Sequence, residues 1–243
     1  MARSARCGHS WHLRTHEEGH VTQDSSFEKI RREVAQDLKP VRPLCSGWTS
    51  ALIVFPVALF LLSLVLIVYG LRSDAAEIGS APLWVPASLM VASAYAVLVL
   101  ALIQRAPEAT VSWTWWVALP LAAIVFQVGG AYWTLTHGSV PPSVSWQVEA
   151  MCFWRVSALG LPPVILVLVL LSRGLPLRPK VAGLLGGLGG GFISEGVYRL
   201  HCGISHPGHI VPWHTSAVLV MGLLGLLAGI WWEHRRLQSW AER

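Results

Sequence analysis

The run VYRLHCGISHPGHIVPWHTS, residues 197–216, concentrates the side chains best suited to chemistry in this chain. It carries Cys202 together with His201, His206, His209 and His214. Thiolate and imidazole are good ligands for zinc, copper or nickel, so a divalent metal is one reading. The spacing H-C-x3-H-x2-H-x4-H matches no fixed metal module, and four loop or interface histidines are the other reading. A second thiol, Cys152, lies fifty positions earlier. Three readings of the two thiols stay open: a structural disulfide, a pair that responds to oxidant or metal, and two inert buried side chains. Arg155 follows Cys152 by three residues and Arg199 precedes Cys202 by three, so each guanidinium could favour a thiolate. The amino-terminal CGHSWHLRTHEEGH repeats the pattern with Cys7, His9, His12, His16 and His20, but its spacing also matches no zinc module. Residues 1–24 read as a polar, His-rich, disordered tail.

Those residues are held by a very apolar chain. Of 243 residues 53% are hydrophobic and only 13% charged, about half the usual charged share of a soluble domain. Several apolar runs approach the roughly 20 residues that cross a bilayer. We read six helices, at 48–69, 82–103, 113–135, 154–172, 181–200 and 211–232. Residues 1–44 have no apolar signal-peptide core, so the amino terminus is expected in the cytoplasm. Fifteen of the eighteen Lys and Arg then fall on the cytoplasmic side, leaving Arg72, Arg155 and Arg199 on the other. That bias orients the bundle with both termini inside a bacterial inner membrane, and it accounts for the net charge of +5 without direct nucleic-acid binding. On this topology Cys152, just before the fourth helix, and Cys202, after the fifth, share the outer face. Cys7 and Cys45 stay in the reducing cytoplasm.

The fifth span, VAGLLGGLGGGFISEGVYRL, repeats Gly183, Gly187 and Gly191 every four residues, and Gly186 with Gly190 likewise. Such stripes let helix backbones approach closely. The first stripe continues to Glu195 and Arg199 on the same face, so these two can pair, with Arg155 as a second partner for Glu195. Intramembrane charges usually face the protein interior, where an ion pair locking the bundle is as plausible as a working site.

Ahead of the first span, residues 25–46 form a separate cytoplasmic segment. Ser25 and Glu28 fit a capping box, and Phe27, Ile30, Val34 and Leu38 make one apolar helical stripe ended by Pro40 and Pro43. Four such side chains bury roughly 6–12 kcal/mol gross, enough to hold a regulated partner after ordering costs. A surface helix resting on its own bundle would use the same pattern.

DLKPVRPL before the first span, a Cys shortly before LGLPPVILVLVLLSRGLPLRP, and YRLHC leading through a loop to a Trp-His pair resemble the NrsF-type anti-sigma-factor family. The resemblance covers about residues 27–240. It implies a six-span inner-membrane protein that holds an extracytoplasmic-function sigma factor and releases it on a signal. It also implies that Asp37, Leu38, Pro40, Val41, Arg42 and Pro43 belong to the partner-facing segment, and that Cys152 and Cys202 are the outer pair tied to sensing. The sequence departs from the family in its first 24 residues and in the His-rich loop after Cys202.

The expected fold is therefore all-α: a polytopic six-helix bundle at 47–235, a short amphipathic cytoplasmic helix before it, and a cytoplasmic tail at 236–243. The expected function is anti-sigma regulation. A membrane metal-binding or transport protein using the outer His and Cys is the alternative, although no span carries a mid-membrane ligand set. No HExxH, GxSxG or P-loop is present, so catalysis is not expected.

Overall fold

A computed structural model of the chain describes residues 28–33, 46–105, 111–137, 145–174 and 176–241. The chain divides into two units, Met1–Cys45 and Ser46–Arg243. In the first, residues 28–33 form a helix, α1, in which Ile30 is exposed and Arg31 pairs with Glu28 at 3.4 Å. Phe27, Val34, Asp37, Leu38, Pro40, Val41, Arg42 and Pro43 lie outside the described residues, as do Cys7, Cys45 and the tail histidines.

Every regular element described in the second unit is helical. The first span is split into α2 (Gly47–Leu52) and α3 (Phe55–Val68). The split has a local cause: Pro56 lacks the N–H that would bond back to Leu52, and the ladder shortens there to Ile53 N–Ser50 O and Val54 N–Ala51 O. Ser46 caps α2, its Oγ accepting from Thr49 N at 3.2 Å. A short α4 (Ala75–Ile78) precedes α5 (Ser80–Ile103), which carries Pro86 inside, and α6 (Trp113–His137) carries Pro120. Then follow α7 (Trp146–Ser172), α8 (Pro179–Tyr198), the single turn α9 (Pro207–His209), a π-helical turn (Ile210–Thr215) and α10 (Ser216–Ala241).

Two boundaries differ from the sequence reading. Helix α7 starts eight residues earlier than expected, at Trp146, so Cys152 and Arg155 lie within the helix rather than before and at its mouth. No Gly or Pro interrupts residues 146–159, and Glu149 in the first turn suits the positive helix end. Helix α10 continues to Ala241, through most of the stretch read as a tail.

Among the described residues, five stretches are long and apolar enough to cross a membrane: Gly47–Val68, Leu83–Ile103, Trp113–Tyr132, Trp146–Ser172 and Pro207–Gln238. They present large apolar side chains outward, such as Phe60, Ile67, Val125, Ile165 and Leu219. On a soluble protein that much exposed apolar surface would drive association. Helix α8 is built differently. It is 20 residues long, and from Leu185 to Tyr198 every residue is buried. It packs most extensively on α10, then on α5 and α7. A helix enclosed by other helices has no need of greasy side chains to satisfy lipid, which is why its composition is rich in Gly.

The glycines assign a neighbour to each face. Gly183 and Gly187 lie against the backbone of α10, and a Cβ on either would overlap the carbonyl oxygens of Gly225 and Met221. Gly186 and Gly190 face Val167 and Val164 of α7, whereas Gly189 and Gly196 face Leu98 and Val91 of α5. Because the contacts at Gly183 and Gly187 are with main chain, neither side can yield by a rotamer change. Gly187→Val is therefore expected to destabilise the bundle by at least about 1–3 kcal/mol. Gly129→Ala, where a Cβ meets nothing within 4 Å, should shift stability by no more than about 1 kcal/mol. Thermal unfolding of both variants in detergent checks the contrast, and equal effects would refute the backbone-contact reading.

Candidate functional site

At the end of the bundle where α8 finishes, three separate elements bring thiols and imidazoles together. Helix α7 supplies Cys152, the residue run after α8 supplies Cys202, and α9 with the π-turn supplies His209 and His214. The Sγ atoms of Cys152 and Cys202 are 4.0 Å apart, and both thiols are free. Cys202 Sγ is 3.4 Å from His209 Nε2, which is 3.1 Å from His214 Nε2. All four side chains are buried, and one ligand atom from each lies within 4.8 Å of all the others.

The π-turn is what places both histidines here. Residues five apart on an α-helix point about 140° away from each other. Closing the turn at five residues brings His209 and His214 to one side. The sequence favours the wide turn because Pro212 has no N–H to donate into an α-ladder. Side-chain hydroxyls take up carbonyls in that stretch: Thr215 Oγ1 donates to Ile210 O at 3.2 Å, and Ser216 Oγ contacts Pro212 O and Trp213 O.

A shell of charged groups surrounds the cluster. His214 Nδ1 lies 2.6 Å from Glu195 Oε2, with both side chains fully buried. Arg199 Nη1 donates to the other oxygen of Glu195 at 3.3 Å. His209 Nδ1 faces Glu149 Oε1 at 3.7 Å, and Glu149 is held by Trp213 Nε1, which donates to its Oε2 at 3.3 Å. Arg155 does not reach Glu195. Its guanidinium donates to Tyr198 Oη at 3.2 Å and lies over the Tyr69 ring, and Tyr198 Oη in turn donates to Cys152 Sγ at 3.8 Å. A tyrosine thus stands between the cation and the thiol that sequence spacing had put side by side. Arg199 is likewise committed to Glu195 rather than to Cys202.

Of the four histidines in the loop, only His209 and His214 join the thiols. His201 packs against Tyr69 and Tyr198, with its Nδ1 3.2 Å from Gly70 O. His206 occupies the N-cap of α9, its Nδ1 accepting from Gly208 N at 3.0 Å. Glu149 and Tyr198 were missed by sequence reasoning. Nothing in local spacing marks either, since each meets the cluster through tertiary packing.

Residues 199–206 are pinned by the connection after α3. Arg72 pairs with Asp74 at 2.5 and 2.7 Å and donates to Gly203 O and Ser205 Oγ, while its N–H donates to Leu200 O. The guanidinium holds the Asp74 carboxyl below its ordinary value of 3.8.

The fold and site together define an all-helical protein with helices suited to a membrane and a buried thiol–imidazole centre at one end of its bundle. Over residues 34–233 the sequence matches the family model described as negative regulator of sigma F, and the chain belongs to that NrsF family. It is 33% identical over 120 residues to the anti-sigma-F factor NrsF of Caulobacter vibrioides (strain NA1000 / CB15N). That alignment covers 46% of this chain and 55% of the relative, so the chain spans about half the length of the curated protein it matches. No solved structure matches the chain.

The clamp gives a pH prediction. A carboxyl whose value is depressed on folding contributes stability above its unfolded value and loses it as pH falls through the folded one. Amide protection in residues 201–206, taken relative to the intrinsic exchange rate at each pH, should therefore be high at neutral pH and fall on acidification below 3.8. Asp74→Asn should be less protected at neutral pH and show little further change in protection over that window. Equal protection in the two proteins at pH 7 would remove the clamp.

Proposed function

We propose that this protein is a membrane-bound anti-sigma factor whose input is the pair Cys152 and Cys202. The family match carries the regulatory class. The reading takes α8 as a sixth span, both termini as cytoplasmic in a bacterial inner membrane, and the thiol-bearing end as the outer one. The amino-terminal segment, with Phe27, Ile30, Val34, Asp37, Leu38, Pro40, Val41 and Arg42, holds an extracytoplasmic-function sigma factor. An oxidant or thiophilic metal at the outer pair then changes the bundle, and the sigma factor is released.

A signal must favour one of two bundle states, and a full switch from 1:99 to 99:1 takes about 5.5 kcal/mol of differential binding. The thiol pair is positioned to deliver such a difference because its neighbours come from three elements. Helix α10 begins beside His214 and, at its far end, reaches the α7–α8 connection, where Arg236 donates to Gly174 O at 3.0 Å, and the first turn of α8, where Lys180 pairs with Glu233 at 3.2 Å. A change at one end of α10 is thereby felt at the other, the cytoplasmic end on this topology.

A transporter would use the same ligands at its mouth. Among the described residues, however, the only group of three or more metal-type ligands is the one at the bundle end, with none further along to receive an ion.

Tagged full-length protein purified from membranes should retain a small sigma factor, and deletion of residues 1–44 should release it. Cys152→Ser and Cys202→Ser should keep the sigma factor bound but abolish its release by oxidant or metal, measured as reporter transcription. Retention by the truncated protein, or an unchanged response in both Cys variants, would reject the scheme.

A further inference from the structure

We infer that Cys152, Cys202, His209 and His214 form a closed four-ligand site for a thiophilic divalent ion of the zinc class, with Glu195 and Glu149 as its outer shell. The inference deepens the proposed sensing role and rests on it only for the consequence of binding, not for the site itself.

The first argument is metric. With Zn–S near 2.3 Å and Zn–N near 2.05 Å, a tetrahedral centre separates two sulfurs by about 3.8 Å, sulfur from nitrogen by about 3.5 Å and two nitrogens by about 3.3 Å. Three of the six separations are 4.0 Å for Cys152 to Cys202, 3.4 Å for Cys202 to His209 and 3.1 Å for His209 to His214, and the other three lie within 4.8 Å. A disulfide would require the sulfurs at about 2.05 Å, half the distance found.

The second argument concerns hydrogens. A carboxylate only accepts, so the 2.6 Å contact between Glu195 Oε2 and His214 Nδ1 puts the imidazole hydrogen on Nδ1. In the neutral ring, Nε2 is then a bare lone pair. His209 Nδ1 is buried, has no hydrogen-bond partner at normal distance and faces Glu149 at 3.7 Å. With its hydrogen there, the Nε2 of His209 is bare as well. With both hydrogens on Nδ1, the two Nε2 lone pairs face the same space 3.1 Å apart beside two sulfurs, where without a cation the rings can share an N–H···N bond. A cation among them takes the place of that shared hydrogen and is coordinated by both rings. An imidazole that binds metal through one nitrogen and gives its other N–H to a carboxylate is the usual outer-shell arrangement.

The third argument is charge. Two thiolates and two carboxylates, Glu149 and Glu195, carry four negative charges in and around the cluster. Arg155 and Arg199 bring two positive ones. A divalent ion closes the balance in a buried site, whereas a monovalent ion leaves one charge uncompensated. Binding replaces two thiol protons, which pass to solvent, with the metal; no electron is transferred.

The test uses the full-length protein in nanodiscs, stripped of metal with a chelator under reducing conditions and titrated with Co2+. The expected result is one tetrahedral cobalt spectrum with thiolate-to-cobalt charge transfer, displaced by Zn2+. Cys152→Ser, Cys202→Ser, His209→Ala and His214→Ala should each weaken binding at least tenfold, and His201→Ala and His206→Ala should leave it unchanged. Glu195→Gln should weaken it 10–100-fold while keeping the tetrahedral spectrum. His209→Cys preserves four donors, so it should still bind, with stronger charge-transfer absorption from a third thiolate. No tetrahedral spectrum in the wild-type protein would overturn the site, as would a spectrum that survives His209→Ala and His214→Ala unchanged. Cobalt binding without sigma-factor capture upholds the site and rejects the regulatory reading, and sigma-factor capture without cobalt binding does the opposite.

Discussion

The contact between the backbones of α8 and α10 is the constraint on which the rest of this structure depends. Gly183 and Gly187 on one helix meet the main chain of Gly225 and Met221 on the other so closely that no side chain fits between them, and Gly191 packs against Val218. In a bilayer there is little hydrophobic force between helices, and association rests on close van der Waals packing and weak Cα–H···O contacts over a long seam. The seam fixes the register of α10 against α8. That register sets where His214, on the approach to α10, lies relative to Glu195 near the end of α8. A shift by one residue would turn His214 roughly 100° away from its carboxylate.

Glu195 is the most demanding residue in the bundle. A buried carboxylate is tolerable only with partners on both oxygens, and removing one partner from a buried pair commonly costs about 3–5 kcal/mol. Its oxygens are taken by Arg199 and His214. The first partner is local, one helical turn away, and would persist in an isolated helix. The second comes from another element and is available only when the π-turn is wide. The carboxylate therefore ties the correctness of a local, Pro-containing turn to the packing of two long helices, which is a specificity device more than a source of net stability.

The parts of this architecture written in helical periodicity were legible from the sequence. The positions of the apolar stretches, the Gly stripe of α8 and the alignment of Glu195 with Arg199 all follow from steps of three, four or twenty residues. The start of α7 was misplaced because hydropathy marks where lipid begins, not where the helix does, and WQVEAMCF is helical without being strongly apolar. The two histidines that join the thiols could not be separated from their neighbours. His201, His206, His209 and His214 look alike in the chain, and a five-residue spacing argues against two of them sharing a helical face. Only the π-turn reverses that inference, and its cause, a Pro with hydroxyl residues three and four positions later, is a weak signal by itself. Glu149 and Tyr198 depend on contacts 64 and 46 positions apart in sequence, which no local pattern encodes.

A site at one end of a bundle can influence the other end only through an element too stiff to absorb the change. Helix α10 has 26 residues, about 39 Å of continuous helix, and no Pro within it. Its glycine seam against α8 leaves it no room to bend inward at Gly183 and Gly187. Displacement of His209 or His214 is thus poorly cushioned along the helix and reaches the contacts of Arg236 with the α7–α8 connection and of Glu233 with the first turn of α8. Those contacts join charged side chains to a backbone carbonyl and to a lysine that is about half exposed, so they are individually weak and readily exchanged. A stiff rod with a tightly determined end and a loosely held one will respond at the loose end, and that asymmetry gives any displacement at the thiol–imidazole cluster a defined direction of travel.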